Sequence, residues 1–156
     1  MESKENNILR LNRVADSFVQ FFNNREFNNL ELISQIFNNP ESDQWWMSGD
    51  ENMYPFSGWK PIQKRLNDMI PLIHGYDQFS FTESNKTFNI EKNLIIMEAR
   101  TSAVGYGDNI YINEYAFFLT VNNDGKICLI KEYFDPSEIL KYSLSNKKLT
   151  ELYHKV

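Results

Sequence analysis

The 156-residue sequence is short of the residues on which much small-domain chemistry depends: one cysteine, two histidines, six glycines and five prolines. A single cysteine, Cys128, excludes an intrachain disulfide and with it a secreted disulfide scaffold. Its neighbours Ile127, Leu129 and Ile130 mark an inert buried thiol rather than a nucleophile. Positive charge is also scarce. Sixteen Lys and Arg stand against 21 Asp and Glu, a net charge of −5, which excludes nucleic acid as the main partner. No apolar run approaches the roughly 20 residues of a membrane span, and the start, Met1–Asn7, is polar and unlike a signal peptide. The expected address is therefore cytoplasmic, without membrane association. Zinc-hydrolase, P-loop, dinucleotide and serine-hydrolase motifs are absent, so neither a metal nor a cofactor is expected.

Aromatic rings are abundant instead: 12 Phe, 8 Tyr and 3 Trp. They serve either as a large core or as the wall of a ligand cavity, since small-molecule sites are lined mainly by apolar and aromatic side chains. Leu11, Val14, Ala15, Phe18, Val19 and Phe22 recur at helical spacing and end at Asn23-Asn24. A second short helix carries Leu30–Phe37 and stops at Asn38-Asn39-Pro40. Asp43–Gly49 reads as a short strand, 50–57 as a loop, and Trp59–Ile73 as a third helix with Pro61 in its first turn, closed by Pro71 and Gly75.

Beyond Gly75 the period changes to 2. Strands are expected at Gln78–Thr82 with Thr87–Ile90, at Asn93–Val104, at Ile110–Val121 and at Lys126–Phe134. A turn at 105–109 and an Asn122–Gly125 hairpin separate the last three, and a short helix follows Asp135-Pro136-Ser137. Helices first and a meander after them make an α+β domain. One domain is read over 9–143, with 1–8 and 144–156 as flexible or loosely packed tails.

Three segments carry a resemblance. They are Phe56-Ser57-Gly58-Trp59-Lys60-Pro61-Ile62, Tyr111-Ile112-Asn113-Glu114-Tyr115, and Asp124-Gly125-Lys126-Ile127 with Lys131–Pro136. Together with the element order, they resemble the nuclear-transport-factor-2-like (NTF2-like) superfamily. That group includes ketosteroid isomerase and the SnoaL-like polyketide cyclases, and the pattern is closest to the phenazine-biosynthesis A/B proteins. The resemblance implies a cone-shaped, cystatin-like domain, its N-terminal helices packed on a curved antiparallel sheet around a hydrophobic pocket. It also implies a homodimer through the outer sheet face, a small-molecule ligand and no metal.

Strand alternation sorts the candidate residues. Tyr111, Asn113, Tyr115 and Phe117 share one face of the third long strand, and Glu132 and Phe134 share one face of the fourth. The resemblance turns both faces into the cavity. It also places Phe117 where ketosteroid isomerase has an acid, which argues against steroid isomerisation. A carboxyl in an apolar cavity has a raised pKa and can move protons near neutral pH. Glu132 is accordingly the candidate catalytic acid/base, helped by Tyr111 through the resemblance, with Asp50 as a third candidate on the loop after the first strand. The other reading of Glu132 is a solvated or structural carboxylate. Binding candidates are Trp46, Tyr54, Phe56, Arg100, Asn113, Tyr115, Phe117 and Phe134. One of Trp45 and Trp46 points inward and the other outward. Glu98 and Arg100 face either the cavity or the outer, dimer side. His74 reads as a helix C-terminal cap. The function expected is an isomerase, cyclase, dehydratase or condensation enzyme acting on a compact apolar or aromatic metabolite; the alternative is a non-catalytic binder or assembly module.

Overall fold

A computed structural model describes residues 3–105 and 108–145. Tyr106 and Gly107 of the expected turn, and the stretch 146–156 with His154, lie outside the described residues.

Helix α1 runs Lys4–Asn24, so residues 4–8, expected as tail, are its first turns. The reason is local: the Ser3 hydroxyl caps the helix by accepting the Asn6 N–H at 3.2 Å. Its stripe of Leu11, Val14, Ala15, Phe18, Phe21 and Phe22 is buried, and Arg25, at φ 57°, ends it by donating to the Phe22 carbonyl. Helix α2, Leu30–Ile36, is capped by Asn29, whose Oδ1 accepts the Leu32 N–H at 3.1 Å. Strand β1, Gln44–Met47, follows.

The expected start of the third helix is instead a short strand β2, Gly58–Pro61, paired antiparallel with β1. Helix α3 then spans Ile62–His74, and Pro71 lies inside its last turns rather than beyond them. Strands β3 (Tyr76–Asn89), β4 (Leu94–Gly105), β5 (Ile110–Val121) and β6 (Ile127–Phe134) form the antiparallel meander. The two segments expected at Gln78–Thr82 and Thr87–Ile90 are one strand with a register shift between Glu83 and Asn85. Helix α4, Pro136–Ser145, closes the described chain.

The sheet order is β2-β1-β6-β5-β4-β3, with β1 parallel to β6 and every other pair antiparallel. The β5–β6 turn is set by Asn122, whose Oδ1 accepts the N–H groups of Asp124 and Lys126, with Gly125 at φ 76°. Beyond the turn, past a register shift between Thr120 and Val121, the ladder opposes Phe117 to Glu132. One face of β4 is buried at every second residue, Ile95 to Ala103, so the helices cover one side of a curved sheet. Phe18 is at the centre of this core, with ring centroids 5.0 Å from Phe22 and 5.3 Å from Phe117, both edge-on. Among the described residues no helix is long and apolar enough to cross a membrane.

Helix α4 docks through Tyr142, which is buried against Gly105 at the end of β4. A Cβ on Gly105 would meet the Tyr142 hydroxyl and come within 2.8 Å of its Cζ. Gly105→Ala should therefore cost about 1–3 kcal/mol and loosen α4, read as faster amide exchange over Pro136–Ser145. The same change in a Tyr142→Ala background should cost nearly nothing. Equal costs in both backgrounds would refute this account of the docking.

Candidate functional site

Between α3, α4 and the inner sheet face lies a cavity of about 110 Å³. Its wall is mostly apolar: Met47 from β1, Phe56 from the β1–β2 loop, Met69 and Leu72 from α3, Phe117 from β5 and Ile139 from α4. Polar groups are few and converge on one side. They are Glu132 of β6, Tyr111 and Tyr115 of β5, Thr101 of β4, and Arg65 and Asp68 of α3. Few polar groups in an apolar wall are the composition of a small-molecule site.

Glu132 is 3% exposed, so the solvated alternative is excluded. Alternation along β6 turns it inward, and the β1 pairing seals it from behind, with Met47 as its register partner. Its Oε2 accepts the Trp45 indole N–H at 2.8 Å. Burial pushes its carboxyl up to about 7, although the Trp45 hydrogen bond and the positive Arg65 both oppose the rise. Glu132 is therefore near half-protonation at neutral pH, the condition for giving and taking protons there.

Arg65 is the largest polar side chain in the core, 1% exposed. Its Nε donates to the Trp45 carbonyl at 3.2 Å, and its terminal nitrogens donate to the Phe56 and Gly58 carbonyls. It thereby ties β1, the following loop and β2 to α3. Burial pulls it down to about 10 while the Glu132 carboxylate pushes it back, so it stays charged. Tyr111 and Tyr115 share a hydrogen bond of 2.9 Å between their hydroxyls. Burial raises the pKa of both, so they act as neutral hydroxyls.

Glu132, Tyr111, Tyr115, Phe117 and Phe56 thus come together at the cavity. Phe134 backs Phe56 and Tyr115, with centroids 6.0 Å from each, outside the immediate wall. Asn113 is buried behind Tyr111, to which it donates at 3.0 Å; it supports the wall and does not line it. Tyr54 packs on Phe56 at 5.7 Å, one layer out.

Three expectations are corrected. Asp50 is exposed and accepts the Asn52 N–H at 2.9 Å in its own loop, because the β1–β2 connection swings it out to solvent. Trp46 faces the outer side against Tyr133 and Trp59, since the β1–β6 pairing gives the inward position to Trp45. Arg100 is exposed beside Glu114, 3.9 Å away, on the outer face shared with Glu98; the inward positions of β4 belong to Ala99 and Thr101. His74, at the end of α3, has its ring Nε2 3.2 Å from the Arg25 carbonyl.

Sequence reasoning missed Arg65, Thr101 and Tyr142, and it left Trp45 undecided against Trp46. Arg65 had a signal: it falls at i+3 from Ile62 and next to Leu66, on the apolar stripe of α3, where an arginine is out of place. Among the described residues no three His, Cys, Asp or Glu side chains converge as a metal site would require.

Comparison with known proteins adds the following. No family model matches the sequence. UPF0523 protein B from Dictyostelium discoideum is 44% identical over 151 residues, covering 96% of this chain and 91% of that protein. PrhC from Penicillium brasilianum superposes with a TM-score of 0.76 at 17% identity, covering 94% of this chain and 95% of that one. The BvnE pinacolase from Penicillium brevicompactum gives 0.73 at 15% identity, covering 92% and 94%. An NTF2-like protein of unknown function from Burkholderia pseudomallei gives 0.65 at 10%, covering 85% and 96%. At these identities the structural likeness is one of fold, and the fold is NTF2-like.

The raised Glu132 carboxyl has a consequence for stability. Its folded pKa, about 7, lies above the ordinary 4.5. The folded state therefore binds the proton more tightly, and its contribution is complete below 4.5 and lost as pH rises through 7. The loss amounts to about 3 kcal/mol. Glu132→Gln should match wild type in acid and exceed it above neutrality, read by urea unfolding across pH. Parallel pH profiles for the two proteins would exclude a buried, titrating Glu132.

Proposed function

The chain belongs to the UPF0523 family, and we propose that it is a small-molecule enzyme in which Glu132 moves a proton to or from a compact apolar or aromatic ligand. One observation carries this reading: a carboxyl is buried in an apolar cavity, poised near neutrality, with only one of its oxygens tied by Trp45. A carboxylate serving only to hold Trp45 would have no need of a cavity before it. The chemistry this supports is cofactor-free acid/base work, the class that covers isomerisation, cyclisation, dehydration and condensation. That a chain of this fold is described as a pinacolase supports chemistry on small molecules in such a cavity. Tyr111 and Tyr115 supply hydroxyls beside the reacting group, and Phe56 and Phe117 shape the ligand's apolar surroundings. The Trp45 bond favours a second reading, a non-catalytic binder in which Glu132 only positions the indole.

The outer sheet face supports a homodimer. Trp59 and Tyr133 are exposed there, 50% and 44%, and with Trp46 between them form an apolar patch of the kind two copies can share. The compartment we assign is the cytoplasm. Tyr133→Lys should convert a dimer to a monomer in light scattering without changing the cavity; a wild-type monomer at micromolar concentration would refute the dimer.

The catalytic reading is tested with benzisoxazole, whose ring opening needs only a base: the C3–H proton goes to the base, the N–O bond breaks, and 2-cyanophenolate is released. Wild type should accelerate the reaction with a rate rising through a pKa of about 7. Glu132→Gln should lose at least a hundredfold, the lower range of general acid/base contributions. Equal rates for wild type and Glu132→Gln, with the probe still bound, would leave the binder reading in its place.

A further inference from the structure

Helix α3 connects the two edges of the sheet. It follows β2 directly and leads through Gly75 into β3, and those strands stand at opposite ends of the order β2-β1-β6-β5-β4-β3. Its thirteen residues rise about 20 Å, whereas the five strand spacings of a flat sheet would take about 24 Å. The curl of the sheet brings its edges within reach, and the helix runs across the strands rather than along them. The cavity wall takes α3 residues from Arg65 to Ile73 and strand residues from Met47 of β1 to Phe79 of β3, so the cavity lies the same way.

Polarity changes along this line. Among the described residues the charged groups of the wall are Glu132 on β6 with Arg65 and Asp68 on α3. Arg65 is fastened to the β1–β2 end by the carbonyls of Trp45, Phe56 and Gly58. Asp68 is answered by Lys64 at 2.7 Å and Lys60 at 3.7 Å. The hydroxyls of Tyr115 and Thr101 come from the middle strands, β5 and β4. The β3 end has no charged group: Leu72 and Ile73 of α3 line it with Phe79 and Phe81 of β3. Tyr76 stacks on Phe79 at 5.8 Å and on Tyr111 at 6.0 Å, so rings in contact close this end. Arg25 covers the Phe79 ring at 5.3 Å but is no part of the wall. Arg65 and Leu72 are seven residues apart, about 10 Å along the helix axis.

We propose that the ligand lies lengthwise beneath α3, its polar, reacting end at Glu132 and Arg65 and an apolar tail ending against Leu72 and Phe79, and that these two residues set the length of tail accepted. The ligand class is an amphiphile about 10 Å long with its polar group at one terminus, an alkyl- or aryl-tailed compound. This rests on the reading of the cavity as a ligand site and adds the shape and polarity of the ligand. The reverse orientation is penalised twice. A polar head at the β3 end would lose its water with no charged partner there, and a tail at the other end would cover the Glu132 carboxyl without offering it a hydrogen bond.

The test uses 4-alkylphenols from 4-methylphenol to 4-hexylphenol, a fixed polar head with a tail that grows one methylene at a time. Binding is measured by calorimetry. In wild type each added methylene should tighten binding roughly fourfold, the effect of taking one methylene out of water. The gain should stop about where head and tail together fill 10 Å, near propyl or butyl, and longer members should lose affinity.

Phe79→Ala should move the stop to longer tails and Leu72→Phe should move it to shorter ones, with the smallest effect in each variant on 4-methylphenol. Both side chains are half-buried, so neither change empties the core. A residue serving only the fold would leave the stop where it was. Glu132→Gln should shift the whole series by one common factor, because Glu132 meets the head that every member shares. Affinity that climbs through hexyl without a stop, or a stop that neither tail-end variant moves, overturns this inference alone. So does a Glu132→Gln effect confined to the long members, which puts the tail at the wrong end. No phenol binding in a wild type that still opens benzisoxazole overturns the amphiphile class. No phenol binding and no benzisoxazole turnover overturns the ligand-site reading as well. A stop that moves as stated, without benzisoxazole turnover, supports the tail pocket in a binder.

Discussion

Burying the Glu132 carboxyl among rings removes its water and leaves it one hydrogen-bond donor, the Trp45 indole at 2.8 Å. A carboxylate so placed carries a desolvation cost of several kcal/mol unless it keeps its proton or meets a positive charge. The fold supplies a partial answer to each. Arg65 is near enough to pull the carboxyl down, yet it is committed to the carbonyls of Trp45, Phe56 and Gly58. Its charge is felt through space without closing an ion pair on Glu132. The two requirements nearly cancel, and a group that neither holds nor releases its proton firmly is the outcome. The same arginine locks Trp45 in place through its backbone, so the indole that touches Glu132 and the charge that tunes it belong to one rigid unit.

How much of this was readable depended on pattern length. Strand β5 has twelve residues and a clear alternation, which groups Tyr115 with Phe117 on one face as β6 groups Glu132 with Phe134. The resemblance, not the alternation, turns both faces inward, and the opposition of Phe117 to Glu132 is set in the ladder beyond a register shift at Thr120 and Val121. Strand β1 has four residues, and its parallel neighbour β6 begins some eighty residues later. No local signal chooses between Trp45 and Trp46 there, and the pairing with Ile130 and Lys131 decides it. Asp50 failed for a related reason: a loop preserves no periodicity, so its position could not be carried over by counting. Alternation sets Arg100 and Glu98 on one face of β4 without saying which face is inward, and the buried Ala99 and Thr101 decide it. Arg65 lies on the apolar stripe of α3, but the three carbonyls that hold its guanidinium come from Trp45, Phe56 and Gly58, which no local pattern brings to it.

The abundance of rings, ambiguous as composition, separates in space into two populations. Phe18, Phe22, Phe81 and Phe117 pack mostly edge to face beneath the cavity and give it a stiff floor. Trp46, Trp59, Phe118 and Tyr133 contact one another on the opposite side of the same sheet. Successive residues of β1 and of β5 serve the two sides, Trp45 against Trp46 and Phe117 against Phe118. A change at one side is therefore one residue from the other. The sheet thus has one helix-covered core face and an outer face that mixes these rings with the charges of Glu98, Arg100 and Glu114.

The polar side of the cavity and the C-terminal helix share a joint. Asn113 grips both the N–H and the carbonyl of Asp135, the residue at which β6 gives way to α4, while its amide also donates to the Tyr111 hydroxyl. Asp135 in turn accepts the Ser137 N–H and hydroxyl and so starts the helix. Helix α4 contributes Ile139 and Tyr142 to the cavity wall, and the Tyr142 ring lies tilted against Tyr76 and Tyr111. The side chain that supports Tyr111 in the cavity wall thus also anchors the segment that covers the cavity. If α4 lifted at Asp135, Asn113 would lose two of its four partners, the Asp135 N–H and carbonyl, and keep only those within β5. The support of Tyr111 and the seating of α4 over the cavity are consequently properties of the same folded arrangement.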